Sequence, residues 1–308
     1  MNALAVVLAL LAALANGAAS VLQRRAVMEQ TEDHDDPPRR WQVRKAVAWL
    51  VRLLRRPYWL AGAAALGFSA GFQAGALAVG SLSVVQPLMA SELLFTLLLG
   101  TAVFRHRPGG LTWLSFLMLA VGLGLFLGAA GASAGNTTGQ AGTWLPAGLC
   151  VAAAVAALFG LGQVLRGAAS AAVLGLATSV CFACTAALIK EVTGRIPEGI
   201  VAVLATGYFY AACAAGLLSL LLLQSTLRAG SLAASQPALT LGDALVSVVL
   251  GRVLFDERVA LGTYPVQAVL GGCLLVAGTV GLSLSPAVAG SWDATTTPPR
   301  RPARGGHR

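Results

Sequence analysis

Long apolar runs separated by short polar segments make up most of the sequence. A run of about 20 apolar residues is long enough to cross the hydrocarbon core of a bilayer as one helix. The pattern therefore predicts an all-α, polytopic membrane helix bundle. Nine transmembrane helices are predicted, at residues 2–22, 58–80, 83–104, 111–131, 144–165, 168–190, 199–224, 231–254 and 263–284.

Two polar segments lie outside these runs. Residues 38–57 have a helical period, with apolar residues on one face and basic residues crowded on the other. This pattern predicts an interfacial amphipathic helix that binds anionic membrane lipids through residues 41–56. A partner-binding helix is the alternative. Residues 285–308 are rich in Thr, Pro and Arg, which predicts a disordered basic cytoplasmic tail.

The composition and the charge distribution fit a membrane protein. With 57% hydrophobic and 11% charged residues, the chain has too much apolar surface for an ordinary soluble domain. Its net charge of +9 reflects topology and not nucleic-acid binding, because the 21 Lys and Arg residues divide unequally between the two predicted sides. Positive charge accumulates in the cytoplasm. The side that holds the N-terminus has only Lys190, Arg195, Arg252 and Arg258.

This charge bias predicts a multi-pass protein of the plasma (inner) membrane, with its N-terminus outside and its C-terminus in the cytoplasm. The first apolar run is expected to remain as a membrane span. No Lys or Arg precedes it, whereas Arg24 and Arg25 follow it immediately, and signal peptides carry their positive charge in front.

A sequence repeat relates the two halves of the chain. Residues 77–88 read LAVGSLSVVQPL and residues 227–238 read LRAGSLAASQPA. After a one-residue insertion the match resumes and pairs Glu92 with Asp243. More weakly, residues 8–25 resemble residues 174–191, which places Arg24 opposite Lys190. The further matched pairs are Gly80 with Gly230, Ser81 with Ser231, Leu82 with Leu232, Gln86 with Gln236, Pro87 with Pro237, Gly100 with Gly251, and Phe104 with Phe255.

The repeat predicts an inverted-topology architecture. Residues 1–131 form the first four-helix unit, residues 144–165 a bridging helix, and residues 168–284 the second unit. Four spans return the chain to its starting side, so one extra span inverts the second unit. Many secondary transporters are built in this way and bind substrate near the midplane. Chance similarity between leucine-rich helices is the alternative.

The ends of two matched helices, LLGTAVFRHR (98–107) and VLGRVLFDER (249–258), together with the duplicated halves, resemble the drug/metabolite transporter superfamily of EamA type. The nine-span layout, with a basic loop after the first helix, resembles the NIPA branch of magnesium transporters. The resemblance covers about residues 2–284. It implies secondary transport of a small metabolite or of a cation.

Two acidic residues lie deep inside predicted spans, Glu92 and Asp243. A charged side chain there costs about 2.5–3.5 kcal/mol on insertion scales, so a matched pair is expected to face each other, a cavity or water. Such a pair could couple proton entry to the movement of a cation or a cationic metabolite. The alternative is that each carboxyl group is protonated, hydrogen-bonds a neighbouring helix and only stabilises the bundle.

Other polar residues extend this candidate site. Pro87 and Pro237 could break their helices and expose backbone carbonyls beside Gln86 and Gln236, unless each proline occupies a first helical turn. Asn16 and Gln73 are candidates to line the pore, or else ordinary interhelical hydrogen-bond donors.

Three functional hypotheses follow from the sequence. The first is a secondary transporter that works by alternating access. The second is a NIPA-like magnesium or divalent cation carrier, although the sequence identifies no metal ligands. The third is a non-transporting scaffold or regulatory protein. An enzyme is not expected, because nucleophile and base candidates do not cluster, and no cofactor is expected. The sequence does not decide whether the protein forms a homodimer.

Overall fold

A computed structural model of the chain describes residues 2–32, 56–104, 109–129, 131–132, 135–140, 142–228, 232–257, 259–260 and 265–284. The predicted amphipathic helix at 38–57, apart from Arg56 and Pro57, and the predicted tail at 285–308 lie outside these residues.

The described chain is almost wholly helical, which confirms the all-α prediction. A pair of two-residue antiparallel strands, β1 (Gly131–Ala132) and β2 (Val259–Ala260), is the exception. The helices are α1 (Ala3–Glu32), α2 (Pro57–Val79), α3 (Leu82–Met89), α4 (Glu92–Phe104), α5 (Gly110–Ala129), α6 (Trp144–Val164), α7 (Gly167–Gly194), α8 (Ile200–Ala205), α9 (Gly207–Arg228), α10 (Leu232–Phe255) and α11 (Pro265–Ser283), with a 3-10 turn at Ile196–Glu198.

Within the described residues, seven helical segments are long and apolar enough to cross a membrane. Two shorter apolar helices, Gly110–Phe126 and Val266–Leu282, coincide with the fourth and ninth predicted spans. The arrangement of nine spans as inverted repeats stays a prediction. The seven segments are Ala3–Ala26, Pro57–Val79, Leu82–Phe104, Trp144–Val164, Gly167–Glu198, Gly207–Thr226 and Ser235–Phe255.

Three predicted helices, the first, the third and the seventh, have different limits in the structure; the seventh, at 199–224, is divided at Thr206 into α8 and α9. The first continues to Glu32 instead of ending near residue 22, because polar residues can extend a helix beyond its apolar run; Arg25 and Glu29 form an ion pair one turn apart there. The predicted helix at 83–104 is two helices, α3 and α4, with a break at Ala90 and Ser91.

Long-range contacts show which helix ends lie together. The Asn2 side chain donates a hydrogen bond to the Val79 carbonyl, so α1 begins where α2 ends. At the same end, the Leu82 amide at the start of α3 donates to the Glu257 carboxylate, just after α10. This end, where α1 begins, is called the N-terminal end of the bundle below. It follows that α3 and α10 run antiparallel.

The core lies where α3 and α10 pack together and against α7. Residues 82–88 of α3 are buried, and the apolar residues among them form one hydrophobic cluster with Ala183 of α7 and Leu250 and Leu254 of α10. A second close contact joins α5 to α11, where a Cβ added to Gly122 would lie 2.6 Å from the Leu275 backbone nitrogen. Small residues of this kind let membrane helices approach closely.

Candidate functional site

A buried ion pair lies at the N-terminal end of the bundle. The Lys190 ammonium of α7 pairs with the Glu257 carboxylate, and the two side chains are 3% and 0% exposed. The Lys190 nitrogen also lies 4.6 Å from the centroid of the Phe255 ring. A cation over an aromatic face gains a further electrostatic attraction.

The same carboxylate caps the start of α3. Glu257 accepts hydrogen bonds from the backbone amides of Leu82 at 2.7 Å and of Ser83 at 2.9 Å, and from the Ser83 hydroxyl at 2.5 Å. The first amides of a helix have no partner within the helix and favour a negative charge. Glu257 therefore joins α3, α7 and the end of α10 through one group.

A second buried carboxylate holds the loop before α6 at this end. Glu191 accepts from the Gly139 amide at 2.5 Å and from two nitrogens of Arg195, at 2.9 and 2.7 Å. The Arg195 guanidinium lies 5.1 Å from the centroid of the Tyr208 ring. Together with the Lys190–Glu257 pair, these contacts close the N-terminal end with hydrogen-bonded charges.

Sequence reasoning did not identify Lys190, Glu191 or Glu257 as a cluster. In the sequence, Lys190 stands out only as a charge on the predicted outer side and as the repeat counterpart of Arg24, and Glu257 only as part of a segment that carries the family resemblance. A signal was present: Lys190 and Glu191 interrupt an otherwise apolar helix, which is costly unless both side chains are paired.

The predicted carboxyl group Glu92 lies in the middle of the bundle. It is the first residue of α4, directly after the break that follows Pro87, and the Asn16 amide of α1 donates a hydrogen bond to it. Close packing of α1 on α4 permits this contact. A Cβ added to Gly17 would lie only 3.0 Å from the Thr96 backbone nitrogen.

The second predicted carboxyl group, Asp243, differs in its hydrogen bonding. Its Oδ1 atom is buried and has no hydrogen-bond partner among the described residues. The same holds for the hydroxyl groups of Thr240 and Ser247, which lie about one turn before and after it. Residues three and four apart share a helix face, so the three polar groups lie along one face of α10.

The packing of α3 on α10 places Glu92 and Asp243 at similar depth. A Cβ on Gly251 would meet the Ser83 hydroxyl at 2.7 Å, so these residues face each other near the N-terminal end. At 1.5 Å per residue, Glu92 lies about 14 Å below Ser83 and Asp243 about 12 Å below Gly251.

The other predicted site residues are more scattered. Gln86 is buried in α3, whereas Gln236 of α10 and Gln73 of α2 are half-buried. No hydrogen bond within the described part of the chain joins any of these three amides to Glu92 or Asp243. Pro87 and Pro237 both lie inside their helices, yet only α3 ends soon afterwards; α10 continues unbroken to Phe255.

No metal centre was identified in the described ranges. They contain no group of three or more His, Cys, Asp or Glu side chains that could hold a metal ion.

Long apolar helices around buried polar groups define the class of this chain, a multi-pass helical membrane protein. The chain is 28% identical over 260 residues to a Corynebacterium glutamicum protein described as uncharacterized. The matched region covers 83% of this chain and 86% of that protein. No family model and no solved structure matches the chain.

Proposed function

We propose that the protein is a secondary transporter that works by alternating access, with its substrate site at Glu92 and Asp243. The observation that carries this proposal is a difference in burial between residues that the sequence repeat matches. The matched residues lie at opposite ends of the bundle. Leu254 and Phe255, the last residues of α10, lie at the N-terminal end of the bundle and are 1% and 0% exposed. Their repeat counterparts Val103 and Phe104, at the opposite end of α4, are only half-buried.

The same difference recurs on the neighbouring turns. Gln86 and Leu88 of α3 are buried, whereas their counterparts Gln236 and Ala238 of α10 are half-buried. A carrier made of two inverted repeats has equivalent halves but, in any one state, only one closed end. A bundle that is closed at the N-terminal end and looser at the other is what such a state requires.

The helix packing supports the inverted repeat within this proposal. A two-fold axis in the membrane plane brings equivalent helices together. Here α5 packs along α11 and α3 packs against α10, and each is a pair that the repeat equates. The resemblance to the drug/metabolite transporter superfamily fits the same architecture.

The orientation proposed from charge also fits the described ends. Lys190, Arg195 and Arg252 lie at the N-terminal end, whereas Arg25 and Arg166 lie at the opposite end. Under the positive-inside rule, the N-terminal end is outside and the looser end faces the cytoplasm.

The test is substrate-dependent charge movement in proteoliposomes on a solid-supported membrane, with magnesium, amines and amino acids applied with and without a pH gradient. We expect a pH-dependent current with at least one compound. Glu92→Gln and Asp243→Asn should each abolish it, and Glu198→Gln, which changes an exposed carboxylate at 54% exposure, should not.

The outcomes separate the functional classes. Full pH-dependent uptake by both Glu92→Gln and Asp243→Asn would refute the carboxylate mechanism. A magnesium current alone would favour the NIPA-like carrier. No current with any compound, together with co-purification of a stoichiometric partner, would favour a scaffold.

A further inference from the structure

The polar groups along one face of α10 limit the shape of a substrate that could bind there. Thr240, Asp243 and Ser247 each contribute a buried polar atom with no partner among the described residues. Thr240 is 8% exposed and Ser247 0% exposed, so neither hydroxyl group is solvated at the surface. Leaving a buried polar group without a partner is costly, and such groups are normally bonded.

These two hydroxyl groups behave differently from others in the bundle. A serine or threonine inside a membrane helix usually donates to the carbonyl one turn earlier in its own helix. This is the arrangement at five other intramembrane positions: Ser115, Thr178, Thr185, Ser219 and Thr226. Thr240 and Ser247 therefore retain hydrogen-bonding capacity on both sides of Asp243.

The charge around this face favours a cation. Glu92 lies at a similar depth to Asp243. In the described parts of α1, α3, α4 and α10 the basic residues are Arg24, Arg25 and Arg252, each at least two helical turns along its helix from Asn16 or Asp243. A positive charge on the substrate would therefore lie beside Asp243 without a competing basic side chain of these helices.

The spacing argues against a bare metal ion. Thr240 and Ser247 are separated by about 10 Å along the helix axis. Magnesium binds its ligands at about 2.1 Å, and an ammonium group reaches its acceptors at about 2.8 Å. Neither ion can contact both hydroxyl groups at once, so a substrate that uses the whole face must extend along α10.

We propose that this site binds an elongated organic ammonium ion, with its charge at Asp243 and a hydrogen-bonding group on each side for Thr240 and Ser247. This inference rests on the proposed transport function, because it names the substrate class of the same site.

The test is binding to the purified full-length protein, measured by isothermal titration calorimetry with three probes. Diethanolamine carries a central ammonium and a hydroxyl group on each arm, diethylamine lacks both hydroxyl groups, and magnesium is the bare ion. We expect diethanolamine to bind about tenfold more tightly than diethylamine, the gain of two modest hydrogen bonds. Magnesium should not compete with it.

Variants assign the effect to residues. Thr240→Val combined with Ser247→Ala should reduce diethanolamine to the affinity of diethylamine, and Asp243→Asn should remove the binding of both amines. Ser219→Ala is the matched control, because Ser219 is a buried membrane serine that is bonded to its own helix; it should leave all affinities unchanged.

Three results would overturn the inference: equal affinities for the two amines, no binding of either amine at millimolar concentrations, or magnesium binding that needs Asp243 and excludes amines. Binding and transport can also be told apart. If the amines bind as expected but no flux of any compound is measured, the proposed transport function is wrong and the proposed organic ammonium ligand still stands. If magnesium flux depends on Asp243 and no amine binds, the transport function stands and the organic ammonium ligand is wrong.

Discussion

Carboxyl groups lie inside the bundle in two regions, and their hydrogen bonding differs. At the N-terminal end, Glu257 receives the Lys190 ammonium and three donors from the start of α3. In the middle of the bundle, Glu92 receives the Asn16 amide, and Asp243 retains a buried oxygen with no partner in the described part of the chain.

This difference separates stability from function. A protein interior normally satisfies its polar groups, and the exceptions are expected where a ligand binds. The end region has a full set of donors and so holds three elements together. The middle region has spare acceptors and so can accept a substrate. Substitutions at the end should act mainly on stability, and substitutions in the middle mainly on transport.

The largest effect on stability is expected from Lys190→Met. It leaves the Glu257 carboxylate buried without its counter-ion, which typically costs about 3–5 kcal/mol in the free energy of unfolding. Unfolding of the purified protein in detergent measures this. The double variant Lys190→Met with Glu257→Gln should recover much of the loss, because no unpaired charge remains. A single variant as stable as the parent would show that the ion pair does not hold the end.

A smaller loss is expected from Gly251→Ala. The added Cβ would meet the Ser83 hydroxyl at 2.7 Å and the Glu257 carboxylate, so these two hydrogen-bonded groups must shift. Overpacking of this kind costs about 1–3 kcal/mol. The matched control is Gly124→Ala on α5, where an added Cβ meets nothing within 4 Å. Equal unfolding free energies for the two variants would contradict the close contact.

The next effect in size is that of Asn16→Leu, which removes the amide that donates to Glu92. Hydrogen bonds between membrane helices contribute about 0.6 kcal/mol on average and up to about 1.7 kcal/mol. Thermal unfolding should register a loss in that range. Gln73→Leu provides the comparison, since this half-buried amide has no hydrogen bond to another described residue. A larger loss for Gln73→Leu would show that the Asn16–Glu92 contact is not the stabilising one.

Asp243→Asn should have the smallest effect on stability and the largest effect on transport. The Asp243 Oδ1 atom has no hydrogen bond to lose among the described residues, so we expect a change below about 1 kcal/mol. Substrate-dependent current should nevertheless disappear. If unfolding instead fell as far as for Lys190→Met, Asp243 would be a structural residue and the separation between the two regions would fail.

The sequence predicted the features that depend on local pattern. Apolar runs identify the helices because a membrane helix satisfies its own backbone, and the repeat drew attention to Glu92 and Asp243 as a pair. Two features needed the structure. The Lys190–Glu257 pair joins residues 67 positions apart, and Glu257 lies beyond the apolar run. The break at Ala90 and Ser91 follows Pro87, but the matched Pro237 does not interrupt α10, so proline alone did not locate it.

The Glu257 cap also sets an order for the biogenesis of the protein. The Leu82 amide finds its acceptor 175 residues later in the chain. At about 5–20 residues synthesised per second, the start of α3 is synthesised about 9–35 s before Glu257. During that interval water at the membrane surface has to solvate those amides. The start of α3 therefore reaches the membrane without its cap, and the cap forms only when the last third of the chain is synthesised.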